Sequence, residues 1–281
     1  MSGFNPSWLA LREPADHDAR DPEIEDLVAG RLGERDNAMV LDLGCGSGSN
    51  LRALAPALPD HQFWRLVDHD AALLDAARDR LESWADASER KSGGDLHLQK
   101  GEKHIRVAFE QADLRSGVAA LLSPTPDLVT AAALFDLVSA SWMEGFARDL
   151  AACGAPLYAV LTYDGREIWR PGHLLDERIL AAFHRHQGRD KGFGPAAGPG
   201  SVAALAAAFE RAGYAVATAD SAWVLGPQQS ELIGELAAGI AQAAVETGDL
   251  TPEEAQGWAQ ARGGASRVLV GHQDLFATPP R

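Results

Sequence analysis

Residues 39–50 read MVLDLGCGSGSN, a short apolar run that carries Asp42 and then breaks into glycines at 44, 46 and 48. The residues that follow, NLRALAPAL (50–58), set Leu51, Leu54, Ala55 and Leu58 on one stripe at helical spacing. Strand, glycine turn, helix is the opening of a doubly wound α/β unit. The glycines answer a physical demand. A backbone that must approach a ligand closely has no room for a β-carbon. Amide groups at the N-terminus of the next helix are then available to polar or anionic ligand atoms.

The same rhythm continues on both sides. Upstream, Pro22–Gly33 predicts a helix with Ile24, Leu27, Val28 and Leu32 on one face. Downstream, HQFWRLVDHD (61–70) reads as a second strand ending in acids. Asp70 suits the N-cap of the helix AALLDAARDRLESWA, whose Leu74, Ala77, Leu81 and Trp84 share a side. DLHLQKGEKHIRVAFEQADL predicts a hairpin turning at Lys100–Glu102, its second arm running into Gln111–Leu114. PDLVTAAALFDLV is a fourth strand, SWMEGFARDLAACG a helix closed by Gly154, and APLYAVLTYDG a fifth strand. GSVAALAAAFERAG is helical, YAVATADSAWVL a sixth strand, and SRVLVGHQDLFAT the last. The expectation is an α/β fold with a doubly wound, mostly parallel, seven-stranded sheet in one domain. Residues 1–37 would form an N-terminal cap, 38–163 the core and 164–200 a lid insertion after strand five. Residues 201–281 would complete the sheet, with a helical insertion at 228–262 broken at Gly248–Pro252.

The run VLDLGCGSGSN resembles the first motif of the class I S-adenosylmethionine-dependent methyltransferases, in which an acid near the end of strand one precedes a G-x-G-x-G turn. Dinucleotide-binding proteins use G-x-G-x-x-G at the same place, but here the third glycine comes one residue early and Ser49 stands in its position. The resemblance implies S-adenosyl-L-methionine as cofactor and S-adenosyl-L-homocysteine as product, with Asp42, Gly44, Cys45, Gly46 and Gly48 forming the turn around the cofactor. It implies that Asp68, ending strand two, accepts hydrogen bonds from both ribose hydroxyls, with His69 near the adenine; Asp70 competes for the acid's role. Asp113 and Leu114 look like the pair that meets the adenine amino group and ring. Small residues of strand four, Ala131 and Ala132, would line the cofactor. The resemblance covers residues 38–163, and the last two strands more loosely. It names no substrate.

Acceptor groups should come from the same sheet edge. Phe135 and Asp136 follow strand four, and Tyr163 and Asp164 end strand five. The insertion adds Trp169, Arg170, His173, His184, His186, Asp190, Lys191 and Phe193, with GRDKGFGPAAGPG offering hinge glycines. Asp136 and Tyr163 are the candidate catalytic bases if the acceptor carries a proton. Phe135, Asp164, His186 and Phe193 are the candidate substrate-binding residues. SWLALREPADHDAR (7–20) fits either a cap over the cofactor, with Arg12 or Arg20 available to a carboxylate, or a surface lead-in.

Composition narrows the partners. Forty acids against 25 bases give a net charge of −15, and only four residues are lysine, so no basic stripe for a phosphate backbone is visible. No nucleic-acid partner is expected. Cys45 and Cys153 are too few for a disulfide framework or a cysteine metal site. His184 and His186 diverge by about 200° on a helix, so no metal is expected. No run of about 18 apolar residues suggests a membrane span, and no signal-peptide core is seen, so the expected compartment is the cytoplasm. The reading is methyl transfer to a small-molecule acceptor. The alternatives are a protein or RNA methyltransferase, an NAD-type oxidoreductase and a non-catalytic cofactor-binding protein.

Overall fold

The structure, a computed structural model, describes residues 5–33 and 35–280. The strands β1 (Asn37–Leu43), β2 (His61–Asp68), β5 (Lys103–Gln111) and β6 (Leu128–Ala132) pair in parallel in the order β5-β2-β1-β6. β7 (Leu157–Arg170) adds in parallel to β6. β10 (Arg267–Thr278) then runs antiparallel between β7 and β8 (Ala215–Asp220). These are the seven expected strands. Among the described residues the sheet has ten, because β3 (Ala87–Arg90) and β4 (Leu96–Lys100) extend it beyond β5, and the expected sixth strand is interrupted. Its second part, β9 (Trp223–Leu225), pairs separately with β10.

Helices pack both faces, and their ends follow side-chain chemistry. Ile24, Val28 and Leu32 of α2 (Pro22–Leu32) and Leu51 and Leu54 of α3 (Ser49–Leu54) bury against one face. With them is α4 (Ala71–Trp84), whose N-cap is Asp70, accepting from the Ala72 amide at 2.9 Å. On the other face α5 (Ala140–Cys153) packs beside α7 (Ser201–Arg211). Ser139 caps the start of α5, and Gly154, at φ 71°, closes its end.

The expected lid proves to be mostly packed structure. β7 continues through Asp164–Arg170, because Arg267–Val270 of β10 supply its ladder partners. α6 (Asp176–Gln187) lies against α8 (Ser230–Glu246) and α9 (Pro252–Arg262). Trp169 meets Trp258 edge-on at 5.4 Å, and the Trp258 indole N–H donates to Asp176 at 2.8 Å. A fully buried side chain of this size contributes about 1.5–3 kcal/mol. The two segments expected as separate insertions therefore share one core with Trp223 and Val268.

The polar lead-in forms α1 (Pro6–Ala19), which runs through Pro14. An interior proline costs a helix about 3 kcal/mol, and tertiary contacts offset it. Glu13 holds Arg52 through two 2.7 Å bonds, and His17 meets the Ser49 hydroxyl at 2.9 Å. Arg12 grips Asp16, which also accepts from the Trp223 indole at 3.1 Å.

Candidate active site

The parallel strands end at a cavity of about 390 Å³ between the carboxyl edge of the sheet and α1. Its wall includes Gly44–Ser47 after β1, Asp68 and His69 after β2, Asp113–Arg115 after β5, and Ala132–Leu134 after β6. A wider groove of about 570 Å³ lies at the opposite edge, around Asn37, His61 and His104. The carboxyl edge is where ligands bind in such sheets, and only there does the glycine turn contribute.

The turn is locked to the second strand. The Cys45 amide donates to the Val67 carbonyl at 3.0 Å, and the Gly46 amide to Asp68 Oδ2 at 2.9 Å. The other oxygen of Asp68 accepts from the Asp70 amide at 3.0 Å and lies 3.2 Å from His69 Nδ1. Two backbone bonds leave this buried carboxylate with acceptor capacity toward the cavity. Gly46 has φ 53°, and a β-carbon there would stand 3.2 Å from Leu9 of α1.

Of the other residues expected at the cofactor, Gly44, Cys45, His69, Asp113 and Leu114 border this cavity. Arg115 holds the Asp113 carboxyl near 2, and Trp142 donates to the Leu114 carbonyl at 3.0 Å. Asp42, Gly48 and Ala131 do not border it. Asp42 is fully buried and accepts from Asn50 at 2.8 Å; burial pushes its carboxyl up to about 7, against the opposing pull of Asn50 and Arg20. A β-carbon on Gly48 would meet Ala77 and Leu81, and Ala131 is core. Their neighbours Asn50, Ala132 and Ala133 take the wall positions.

The acceptor-side expectations need more correction. Phe193 borders the cavity, but Phe135 is core, packed on Phe146 at 5.6 Å. Asp164 is tied to Arg166. His186 points out to Glu246 of α8 at 3.0 Å, so it stands outside the cavity. Tyr163 is buried away from the wall, with its hydroxyl between Glu167 at 3.1 Å and His184 at 3.0 Å. Burial, and the nearby acids Glu167, Asp164 and Asp136, push its pKa up, which makes it a poor base. Asp136 lies between Leu134 and Leu137, which do border the cavity. Burial raises its carboxyl to about 6, while Lys191 and Arg12 pull it down.

Arg20, one of the two arginines expected to be available to a carboxylate, is on the wall, whereas Asn50, Ala133 and Leu161 had no local signal. Arg20 donates to Asn50 Oδ1 at 2.8 Å, and Asn50 in turn donates to Asp42 and to Thr130 at 3.0 Å. Arg20 Nε and Nη1 are buried without partners among the described residues. Ala133 and Leu161, both on the wall, have φ of 50° and 55°. Side chains rarely adopt that region, and such strain clusters at functional sites. Leu161 is held there by buried Asp274, which accepts from its amide at 2.8 Å.

Neither a protein-family model nor a curated protein sequence matches this chain. Solved structures do. A cyclopropane-fatty-acyl-phospholipid synthase-like protein from Lactobacillus casei superposes with a TM-score of 0.53 at 16% identity, over 95% of this chain and 91% of its own. A cyclopropane synthase from Mycobacterium tuberculosis gives 0.52 at 14% identity, over 98% and 95%. A candidate methyltransferase from Bacillus halodurans gives 0.51 at 16% identity, over 93% and 99%. At these identities the likeness establishes the fold, which is that of the class I methyltransferases.

Proposed function

We propose that this chain, built on the class I methyltransferase fold, binds S-adenosyl-L-methionine in the cavity at the carboxyl edge and methylates a small molecule. The observation that carries this reading is one junction: the left-handed glycine turn is bonded directly to buried Asp68, with Asp113 and Leu114 on the next strand. The residues present fit the cofactor. The unpartnered donors of Arg20 suit its carboxylate, the turn its methionine chain, Asp68 its ribose hydroxyls, and Asp113 its adenine amino group.

The cofactor supplies a sulfonium methyl that a nucleophile displaces in line. The protein's part is alignment, worth up to about 7–11 kcal/mol of barrier. Leu9 of α1 and Phe193 flank the cavity and limit water around the reacting atoms. Its volume and the chain's acidity favour a small molecule over RNA. Calorimetry should show binding of S-adenosylhomocysteine and none of NAD, and labelled S-adenosylmethionine should turn over with a metabolite extract. NAD binding in place of S-adenosylhomocysteine would overturn the reading.

Asp68→Ala should weaken S-adenosylhomocysteine binding by about 1–3 kcal/mol, since it removes charge-assisted bonds to the ribose and frees the Gly46 amide. Unchanged affinity in a folded variant would take Asp68 out of the site. A pH effect follows from Asp136. If the acceptor atom carries a proton, Asp136 is the group we assign to take it. A carboxyl raised to about 6 is protonated, and useless as a base, below that pH. Turnover should therefore climb about tenfold per unit up to pH 6 and level off above, and Asp136→Asn should abolish the climb. A flat profile with a proton-bearing acceptor would remove Asp136 from the chemistry.

A further inference from the structure

Three of the four lysines have carboxylate partners: Lys91 with Glu89 at 2.5 Å, Lys100 with Asp86 at 2.8 Å, and Lys103 with Asp60 at 2.9 Å. Lys191 is different. It is half-buried, borders the cavity, and has no hydrogen-bond or ion-pair partner among the described residues. In a chain of net charge −15, a cation left without an acid inside a cavity calls for an explanation. Burial disfavours its charged form and lowers its pKa. Asp136, the acid that acts on it, stays beyond ion-pair distance.

Two of the cavity's arginines are held in ion pairs, and the third, Arg20, has unpartnered donors that are assigned above to the cofactor's carboxylate. Arg12 is held by both oxygens of Asp16, and Arg115 by Asp113. Arg20 sits at Asn50, beside the glycine turn. Lys191 is also held in place. Its loop is fixed by Asp190, which accepts from the amides of Gly192 at 2.7 Å and Gly194 at 3.0 Å, and by the Ala197 amide donating to the Val138 carbonyl at 2.8 Å. Phe193, packed edge-on against Trp142 at 5.7 Å, adds an apolar surface to the same wall as Leu134 and Leu137.

We infer that the methyl acceptor is a small organic acid, its carboxylate or phosphate paired with the Lys191 ammonium and its apolar body on Phe193, Leu134 and Leu137. This rests on the methyltransferase reading above. An anion from the acceptor supplies the counter-charge that the protein withholds. It also fixes the acceptor's orientation, which is the main thing the protein must contribute to a direct displacement.

The test is calorimetry on the full chain saturated with S-adenosylhomocysteine. The probes are benzoate, phenylacetate, octanoate and phenyl phosphate, each against its neutral amide or alcohol. At least one acid should bind tenfold or more tighter than its neutral counterpart, and the carboxylate and phosphate arms identify which anion is preferred. Lys191→Met should erase that preference, Lys191→Arg should keep it, and affinity for S-adenosylhomocysteine should stay within threefold in both. Acetic anhydride labelling gives a second readout: Lys191 should react faster than Lys91, Lys100 and Lys103, and the preferred acid should protect it. Equal binding of acids and neutral analogues, or acid binding indifferent to Lys191→Met, overturns the inference. So does a loss of S-adenosylhomocysteine affinity in that variant, which would give Lys191 to the cofactor's own carboxylate. The same titrations without S-adenosylhomocysteine separate the two readings. A chain that binds acids through Lys191 but never binds S-adenosylhomocysteine keeps the anion site and loses the methyltransferase assignment.

Discussion

Gly46→Val is expected to weaken S-adenosylhomocysteine binding at least about 100-fold, a change of about 2.7 kcal/mol, while the protein stays folded. Three effects act together. The residue sits at φ 53°, where a β-branched side chain is strained. Its β-carbon would lie 3.2 Å from Leu9, tight enough that α1 must give way. The added methyl groups would also occupy the approach to the turn whose amide is bonded to Asp68. Gly101→Val is the control, since Gly101 has φ 56° with open space around it. It should show the backbone strain alone, with binding intact. If the two variants bind alike, the glycine turn is a structural feature and the cofactor reading fails.

Asp274→Leu is expected to lower unfolding free energy by about 3 kcal/mol, measured by urea denaturation at pH 7. Asp274 is fully buried, and its two oxygens accept from the Leu161 amide at 2.8 Å and the Asp21 amide at 3.0 Å. The first bond holds the left-handed turn of β7 against the cavity, and the second joins the start of α2 to β10. Leucine would strand both amides. Burial raises the Asp274 carboxyl pKa. Its contribution is therefore fullest below the ordinary carboxyl value and falls as pH rises through the native one. Asp274→Asn keeps one acceptor and carries no charge to desolvate, so it should lose clearly less at pH 7 than the leucine variant. A leucine variant within about 1 kcal/mol of wild type would show that the bonds at Leu161 and Asp21 are dispensable.

Much of the fold was legible because its signals are local. The apolar run Met39–Leu43, the glycines at 44, 46 and 48, the stripe through Leu51 and Leu54, and the cap at Asp70 all involve residues within a turn or two of each other. The order of strand, turn and helix then leaves little choice of topology, since parallel crossovers are almost always right-handed. Asp68, His69, Asp113 and Leu114 were singled out by the resemblance, and they border the cavity. A residue at the carboxyl end of a parallel strand faces that edge wherever the rest of the chain goes.

The errors have one physical origin. Arg166–Arg170 reads as loop by composition, yet it is strand because β10, about a hundred residues later, lies alongside it. SWLALREPADHDAR became a helix through a proline because Arg52, Ser49 and Trp223 hold it there. Tyr163 and His186 were drawn into pairs with Glu167, His184 and Glu246, and Phe135 into the core, while Arg20 and Lys191 were left facing the cavity with donors unspent. The sequence by itself determined the doubly wound core and the glycine turn, because backbone preference and hydrophobic periodicity act over short stretches of chain. Only the tertiary structure decided which polar groups are satisfied and which remain open to a ligand, because a hydrogen bond depends on distance in space and its partner can lie anywhere along the chain.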